Sequence, residues 1–345
     1  MDTATPLDEA LDRFATTGPE FGGGLANHGP MATEALMALG RADALPLWTE
    51  WYAGRLSEHP QARNPIAAAD WREALGEVGR VGDWVAYFEG EVREQPWRDL
   101  LETWVGRLGP GFMASATHGM LRTAHAVRSL AGGESPVRLR EFAEGLGYWA
   151  ARYQELPSAT GAAGAMRASD ALTRVPRVDP ARRKYGFIFD AVKVIDAEAF
   201  GPVLNYVATD VDIDTFISDV TRTFVRHYLA NAQKAGIGFV HTVTAPSALR
   251  ILAPHLSDGT RVAAMRYAWQ ACASIYAAYG DVAPDGVPAV EGPVAFDAAD
   301  LIDQAVTGRD EHAIKFTEAC LREHRISGDP AFIVAARDAV VRLRR

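Results

Sequence analysis

Across 214–232 the bulky residues Phe216, Val220, Phe224 and Tyr228 recur every fourth position, with Asp214 placed to cap the first turn. Side chains four apart line one face of an α-helix, so the stretch predicts a helix whose apolar stripe needs a partner layer. The same period returns at 7–15, 30–39, 45–56, 70–75, through the tryptophan-containing turns of 81–108, and at 115–128, 136–153 and 258–279, with two or three helices at the end. Pro30 suits the first turn of its helix, which puts His28 just upstream of a helix N-terminus. The alternation that marks strands is thin. Only 237–244 reads as extended or irregular, ahead of a helix that Pro246 begins, so His241 is also expected just upstream of a helix. The expectation is an all-α protein, one large helical domain over 1–345. Small residues, arginines and Pro157, Pro176 and Pro180 make 155–184 a lid or connecting segment, and an acidic Pro/Gly-rich loop is expected over 281–292.

Composition narrows the partners. A net charge of −9 over 345 residues argues against sequence-independent nucleic-acid binding, which needs a clustered basic surface, and disfavours anionic membranes. With 48% hydrophobic residues the chain has ample material for a core. Its longest apolar region, 262–280, carries Arg266, Gln270 and Ser274 and suits a buried helix better than a membrane span. The acidic start lacks the pattern of a secretory leader, so a cytoplasmic protein is expected. Cys272 and Cys320 show no CxxC spacing and read as reduced packing residues.

The chemistry lies in nitrogen. In 309–318 His312 and Lys315 stand three apart on one helical face, with Cβ atoms about 5–6 Å apart. A lysine beside a histidine on a half-apolar face suggests a metal ion. An ammonium repels a cation, yet a buried lysine loses its charge easily, and a neutral amine reacts with carbon dioxide to give a carbamate, an anionic oxygen ligand. Spacing alone equally allows an amine that reaches solvent or pairs with Glu311 or Glu318.

Of the nine histidines, His59, His255 and His324 sit in polar or terminal positions, and His227 reads as a core or boundary residue. His28, His118, His241 and His312 each have apolar or small neighbours. Singly, each is most simply a hydrogen-bonded buried histidine; together they suit an open iron, zinc, copper or nickel site, and the lack of paired cysteines argues against structural zinc. His118, Arg122 and His125 share one helical face, so His125 is either a pocket residue, replacing His118 as ligand, or a hydrogen-bonding group within the bundle. Asn27, Arg122 and Arg250 are candidates for orienting imidazoles or holding a substrate oxygen, and equally for ordinary helix ties. The chain contains no HExxH, Walker loop or GxSxG, and no GxGxxG after a strand. The triplet Gly22-Gly23-Gly24 is a weak phosphate-loop signal, and the carboxylate pairs Asp212/Asp214 and Asp310/Glu311 read as caps.

Four blocks, Asn27-His28-Gly29-Pro30-Met31, His118-Gly119-Met120-Leu121-Arg122, Phe239-Val240-His241-Thr242-Val243-Thr244 with Ser247-Ala248-Leu249-Arg250, and Asp310-Glu311-His312-Ala313-Ile314-Lys315, resemble the questin oxidase-like family, in its order and across nearly the whole chain. The resemblance implies an α-helical oxygenase whose Fe(II) is held by His28, His118, His241, His312 and a carboxylated Lys315. It also implies a small aromatic substrate of the anthraquinone type and dioxygen as partners, with ring-opening oxygenation or NADPH-dependent Baeyer-Villiger-type insertion as the reaction. A non-catalytic helical binding protein, with packing histidines, is the rival from another class.

Overall fold

A computed structural model of the chain describes residues 5–283, 286–287, 289–290 and 292–344. The protein is all-α: fifteen α-helices, eight short 3-10 helices and one two-stranded ribbon make up the regular structure among the described residues. None of these helices is long and apolar enough to cross a membrane. The chain divides into two compact units, 1–154 and 155–345, and the boundary falls where the sequence loosens. Residues 284, 285, 288 and 291 of the expected acidic loop lie outside the described residues.

The first unit contains α1 (Pro6–Phe14), α2 (Gly29–Ala38), α3 (Leu45–Ala53), α4 (Val81–Glu94), α5 (Trp97–Leu108), α6 (His118–Ala131) and α7 (Pro136–Ala151). Thr5 and Asp8 form a reciprocal cap at the start of α1, satisfying two backbone donors that the helix leaves open. Packing centres on α7, which lies against α6 and α4. Glycines permit the close approach of α6: a Cβ on Gly119 would stand 2.5 Å from the Trp149 Cα, and one on Gly145 would stand 2.9 Å from the Thr123 nitrogen. The stretch 70–75, expected as helix, is a single 3-10 turn, Trp71–Ala74.

The second unit contains the short helices α8 (Ala168–Leu172), α9 (Ile188–Ala191) and α10 (Ala197–Phe200). It continues with α11 (Ile213–Leu252), α12 (Asp258–Tyr279), α13 (Ala298–Gly308), α14 (Glu311–Ser327) and α15 (Ala331–Arg342). Helix α11 packs against α12, α14 and α15. Asp212, rather than Asp214, caps α11, its carboxylate accepting the amides of Asp214 and Thr215.

Residues 237–244 are helical, against expectation. One helix of 40 residues runs from Ile213 to Leu252 with a kink at Ala235, where φ is −139° and ψ 33°. Residues 238–249 are all buried. Without a neighbouring strand, a buried backbone satisfies its polar groups most directly through local helical bonds, which outweighs the poor helix propensity of Gly238, Val240, Thr242, Val243 and Thr244. Pro246 therefore lies inside the helix and leaves the Thr242 carbonyl without its usual amide donor. The Cys272 thiol on α12 donates to that carbonyl at 3.4 Å, so this cysteine does more than pack.

Candidate functional site

In the first unit a hairpin delivers His28. Strands Glu20–Phe21 and Leu25–Ala26 pair antiparallel through Gly22, Gly23 and Gly24, at φ +55°, +83° and +131°. The triplet thus serves as a turn that only glycine adopts freely. The Asn27 amide then donates to the Thr17 hydroxyl (3.1 Å) and the Gly18 carbonyl (2.9 Å), while its side-chain oxygen accepts the Gly29 N–H (2.9 Å). The Tyr52 hydroxyl accepts the His28 N–H at 3.0 Å. Asn27 thus acts on backbone, fixing the corner from which His28 projects.

His118 comes from an unusual corner. Ser115, Ala116 and Thr117 are left-handed in succession, with φ of 47°, 57° and 73°, so α6 starts at His118, not at the expected Ser115. The His118 Nδ1 lies 2.5 Å from the Ser115 carbonyl. A carbonyl only accepts, so Nδ1 carries the proton and Nε2 is the lone-pair nitrogen. The His28 and His118 rings stack at 4.5 Å between centroids, tilted by 25°. Both are buried. Two buried imidazoles this close repel strongly if both are protonated, which favours neutral, metal-ligating forms.

His125 and Arg122 have other engagements. His125 Nδ1 pairs with Glu34 on α2 at 2.6 Å, and Arg128 donates to the same carboxylate. Arg128 and His125 overcome the desolvation of Glu34, burial alone tending to raise its pKa, and hold it down at about 2. Arg122 donates from Nε and Nη2 to both oxygens of Glu141 on α7, at 2.6 and 2.8 Å, and lies 3.5 Å from Glu144. It ties α6 to α7 while buried, and its Nη1 has no hydrogen-bond partner among the described residues. His59, read as a structural or exposed histidine in a polar loop, is partly buried and pairs with Glu144 at 2.6 Å.

In the second unit α11 carries His241 and α14 carries His312, with ring centroids 6.0 Å apart and planes at 77°. His241 therefore sits within a helix, not before one. Asp310 caps α14, accepting the amides of His312 (2.9 Å) and Ala313 (3.1 Å), and its carboxylate lies 3.5 Å from His312 Nδ1. One turn on, Lys315 is 4% exposed. Burial pulls its pKa down from 10.5 to about 8, with the charges of Glu311 and Asp310 opposing. Glu318, one expected partner for this amine, is held by Arg322 at 2.6 Å. Arg250 donates to Glu323 and Asp214, a tie between α11 and α14. His227 is buried against the Tyr276 ring, and burial lowers its pKa to about 4.

Two features carry no sequence signal. Ligand atoms of Asp310, Glu311 and His312 lie within 4.8 Å of one another, so the supposed caps also cluster as metal donors. Ser115, the partner of His118 Nδ1, stands outside any motif. The geometry defines a class: an all-α protein that pairs buried imidazoles within each of its two units and buries a lysine beside one pair. Residues 25–320 match the questin oxidase-like family, and the chain belongs to that family. It is an oxidoreductase of the oxidase type. No curated protein sequence matches the chain.

Proposed function

We propose that His28, His118, His241 and His312, with Lys315 as its carbamate, hold one Fe(II), and that the protein uses dioxygen to open a ring of an anthraquinone-like or related polycyclic aromatic substrate. The observation that carries this is the pairing of buried imidazoles, at 4.5 Å in one unit and 6.0 Å in the other, in a chain of this family. Neutral imidazoles with one anionic oxygen are a donor set suited to divalent iron. Iron would supply the one-electron and dioxygen chemistry that side chains lack.

The residues themselves bind, orient and shed protons. The Ser115 carbonyl accepts the His118 Nδ1–H, which leaves the Nε2 lone pair to face a metal. Asn27 and Tyr52 fix the His28 backbone, and Asp310 holds the first turn of α14 beneath His312. The neutral Lys315 amine would attack the carbon of carbon dioxide, forming an N–C bond and releasing one proton to water, to leave the carbamate anion. The proximity of Glu311 to His312 favours a second source of negative charge, with the Glu311 carboxylate as the oxygen ligand and Lys315 unmodified.

Iron analysis of freshly purified protein, with oxygen uptake on hydroxylated anthraquinones, tests the reading. About one iron per chain and substrate-dependent uptake are expected. Protein that neither holds iron nor consumes oxygen after ferrous loading would sink it. Uptake that requires NADPH would redirect the reaction to Baeyer-Villiger-type insertion. Loss of iron in Lys315→Ala but not in Glu311→Gln supports the carbamate, and the reverse pattern supports the carboxylate.

A further inference from the structure

The left-handed run at Ser115, Ala116 and Thr117 is costly, because each non-glycine residue in that region carries roughly 1–2 kcal/mol of strain. Something must hold it. The Ser115 hydroxyl lies 2.6 Å from the Tyr148 hydroxyl, and Tyr148 donates to Glu20 Oε1 at 2.9 Å. Tyrosine has one hydroxyl proton, so with that proton on Glu20 the Ser115 hydroxyl must donate to the Tyr148 oxygen. Arg152 closes the chain, donating from Nε to Glu20 Oε1 at 2.6 Å and from Nη2 to Glu20 Oε2. Ser115 and Tyr148 are buried, and Glu20 is partly so.

The two ends of this chain meet the two histidines of the first unit. Glu20 is in the hairpin, opposite Ala26, two residues before His28. The Ser115 carbonyl accepts the hydrogen bond from His118 Nδ1–H. We propose that Tyr148 is a positioning residue: the Arg152–Glu20–Tyr148–Ser115 chain ties the His28 hairpin to the His118 corner, sets the stacked spacing of the two rings, and selects the Nδ1–H tautomer of His118. This deepens the metal reading above and rests on it for its consequence, though not for its geometry. Burial and the neighbouring Glu20 raise the Tyr148 pKa well above 10, so the phenol stays protonated and remains a donor.

The test uses the full chain, metal-free and iron-loaded, as wild type, Tyr148→Phe and Ser115→Ala. Long-range proton–nitrogen spectra of the metal-free protein report the His118 tautomer, with the resonance assigned by His118→Gln. Chelator competition reports iron affinity, and circular dichroism reports the fold. Expected is an Nδ1–H tautomer in the wild type. Folded Tyr148→Phe should show a mixture of tautomers and iron affinity about 10–100-fold weaker, the usual effect of removing a group that orients a ligand. Ser115→Ala keeps the backbone carbonyl and removes only the hydroxyl, so it should behave in the same direction and serves if Tyr148→Phe does not fold. An Nε2–H tautomer in the wild type, or a folded variant with unchanged tautomer and iron affinity within twofold, overturns the proposal. Wild-type protein that takes up no iron would instead overturn the metal reading, with the tautomer spectra still deciding the role of the chain.

Discussion

Replacing Lys315 with Met removes an ammonium group while keeping an unbranched side chain of similar length. Burial has moved the amine from 10.5 to about 8, so holding it charged inside the metal-free protein costs about 3 kcal/mol, at about 1.4 kcal/mol per pH unit. The sign follows from proton counting. Between pH 8 and 10.5 the unfolded chain keeps the proton that the native state has lost, so native stability rises with pH across that window; below pH 8 both states are charged and the full penalty applies. Metal-free Lys315→Met should therefore be more stable than wild type at pH 7 by up to about 3 kcal/mol, and the advantage should shrink toward zero by pH 10.5. Urea unfolding of the two proteins at pH 7, 9 and 10.5 measures the difference, and groups common to both cancel. A difference that stays constant with pH refutes the reasoning. The same shift bears on carbamate formation: at pH 7 about one amine in ten is neutral at a pKa of 8, against roughly one in 3,000 for a lysine at 10.5.

Two further outcomes follow from buried polar contacts. Cys272→Ala leaves the Thr242 carbonyl opposite Pro246 without its thiol donor and should cost about 1–3 kcal/mol in urea unfolding, while Cys272→Ser restores a donor and should recover part of the loss. Glu34 is held at about 2 against an ordinary 4.5, so its stabilising contribution is present above pH 4.5 and is lost as pH falls toward 2; Glu34→Gln should flatten that acid limb, by roughly 2–3 kcal/mol, in thermal unfolding at pH 2–6.

The fold class was legible because burial in a helical layer writes a period into the sequence. Phe216, Val220, Phe224 and Tyr228 mark the stripe of α11, and all four are buried. The helix read over 214–232 does meet a break soon after, but it is a kink at Ala235 and not an end. What lies beyond it was misread because local propensity and tertiary burial disagree there. Glycines and β-branched residues speak against a helix, while a backbone buried from 238 to 249 needs hydrogen bonds that only the segment itself supplies. Pro246 suggested a helix start because its missing donor is harmless there; inside α11 the defect is met by a thiol 26 positions away in sequence, which no local pattern reveals.

The candidate residues were legible as chemical types, and their supports were not. Histidines amid small and apolar neighbours announce themselves, and each of the four is buried. Arg122 and Arg250 looked as suited to holding a substrate oxygen as to tying helices; the structure pairs them with carboxylates on α7 and α14, Glu141 and Glu323, which are 19 and 73 residues away. The Ser115-Ala116-Thr117 corner is the sharper case. None of the three favours a left-handed backbone, so sequence propensity argues against the conformation that the protein adopts, and the Tyr148 hydroxyl that meets the Ser115 hydroxyl is 33 residues away in sequence. Strain maintained at the residue before a histidine, and not relieved by a glycine, makes mechanical sense where a ring must be aimed, because a freely flexing corner would let the imidazole turn. On that argument, and on the metal reading proposed above, the first unit would depend on Tyr148 and Glu20, which hold the strained turn in place, as well as on its imidazoles.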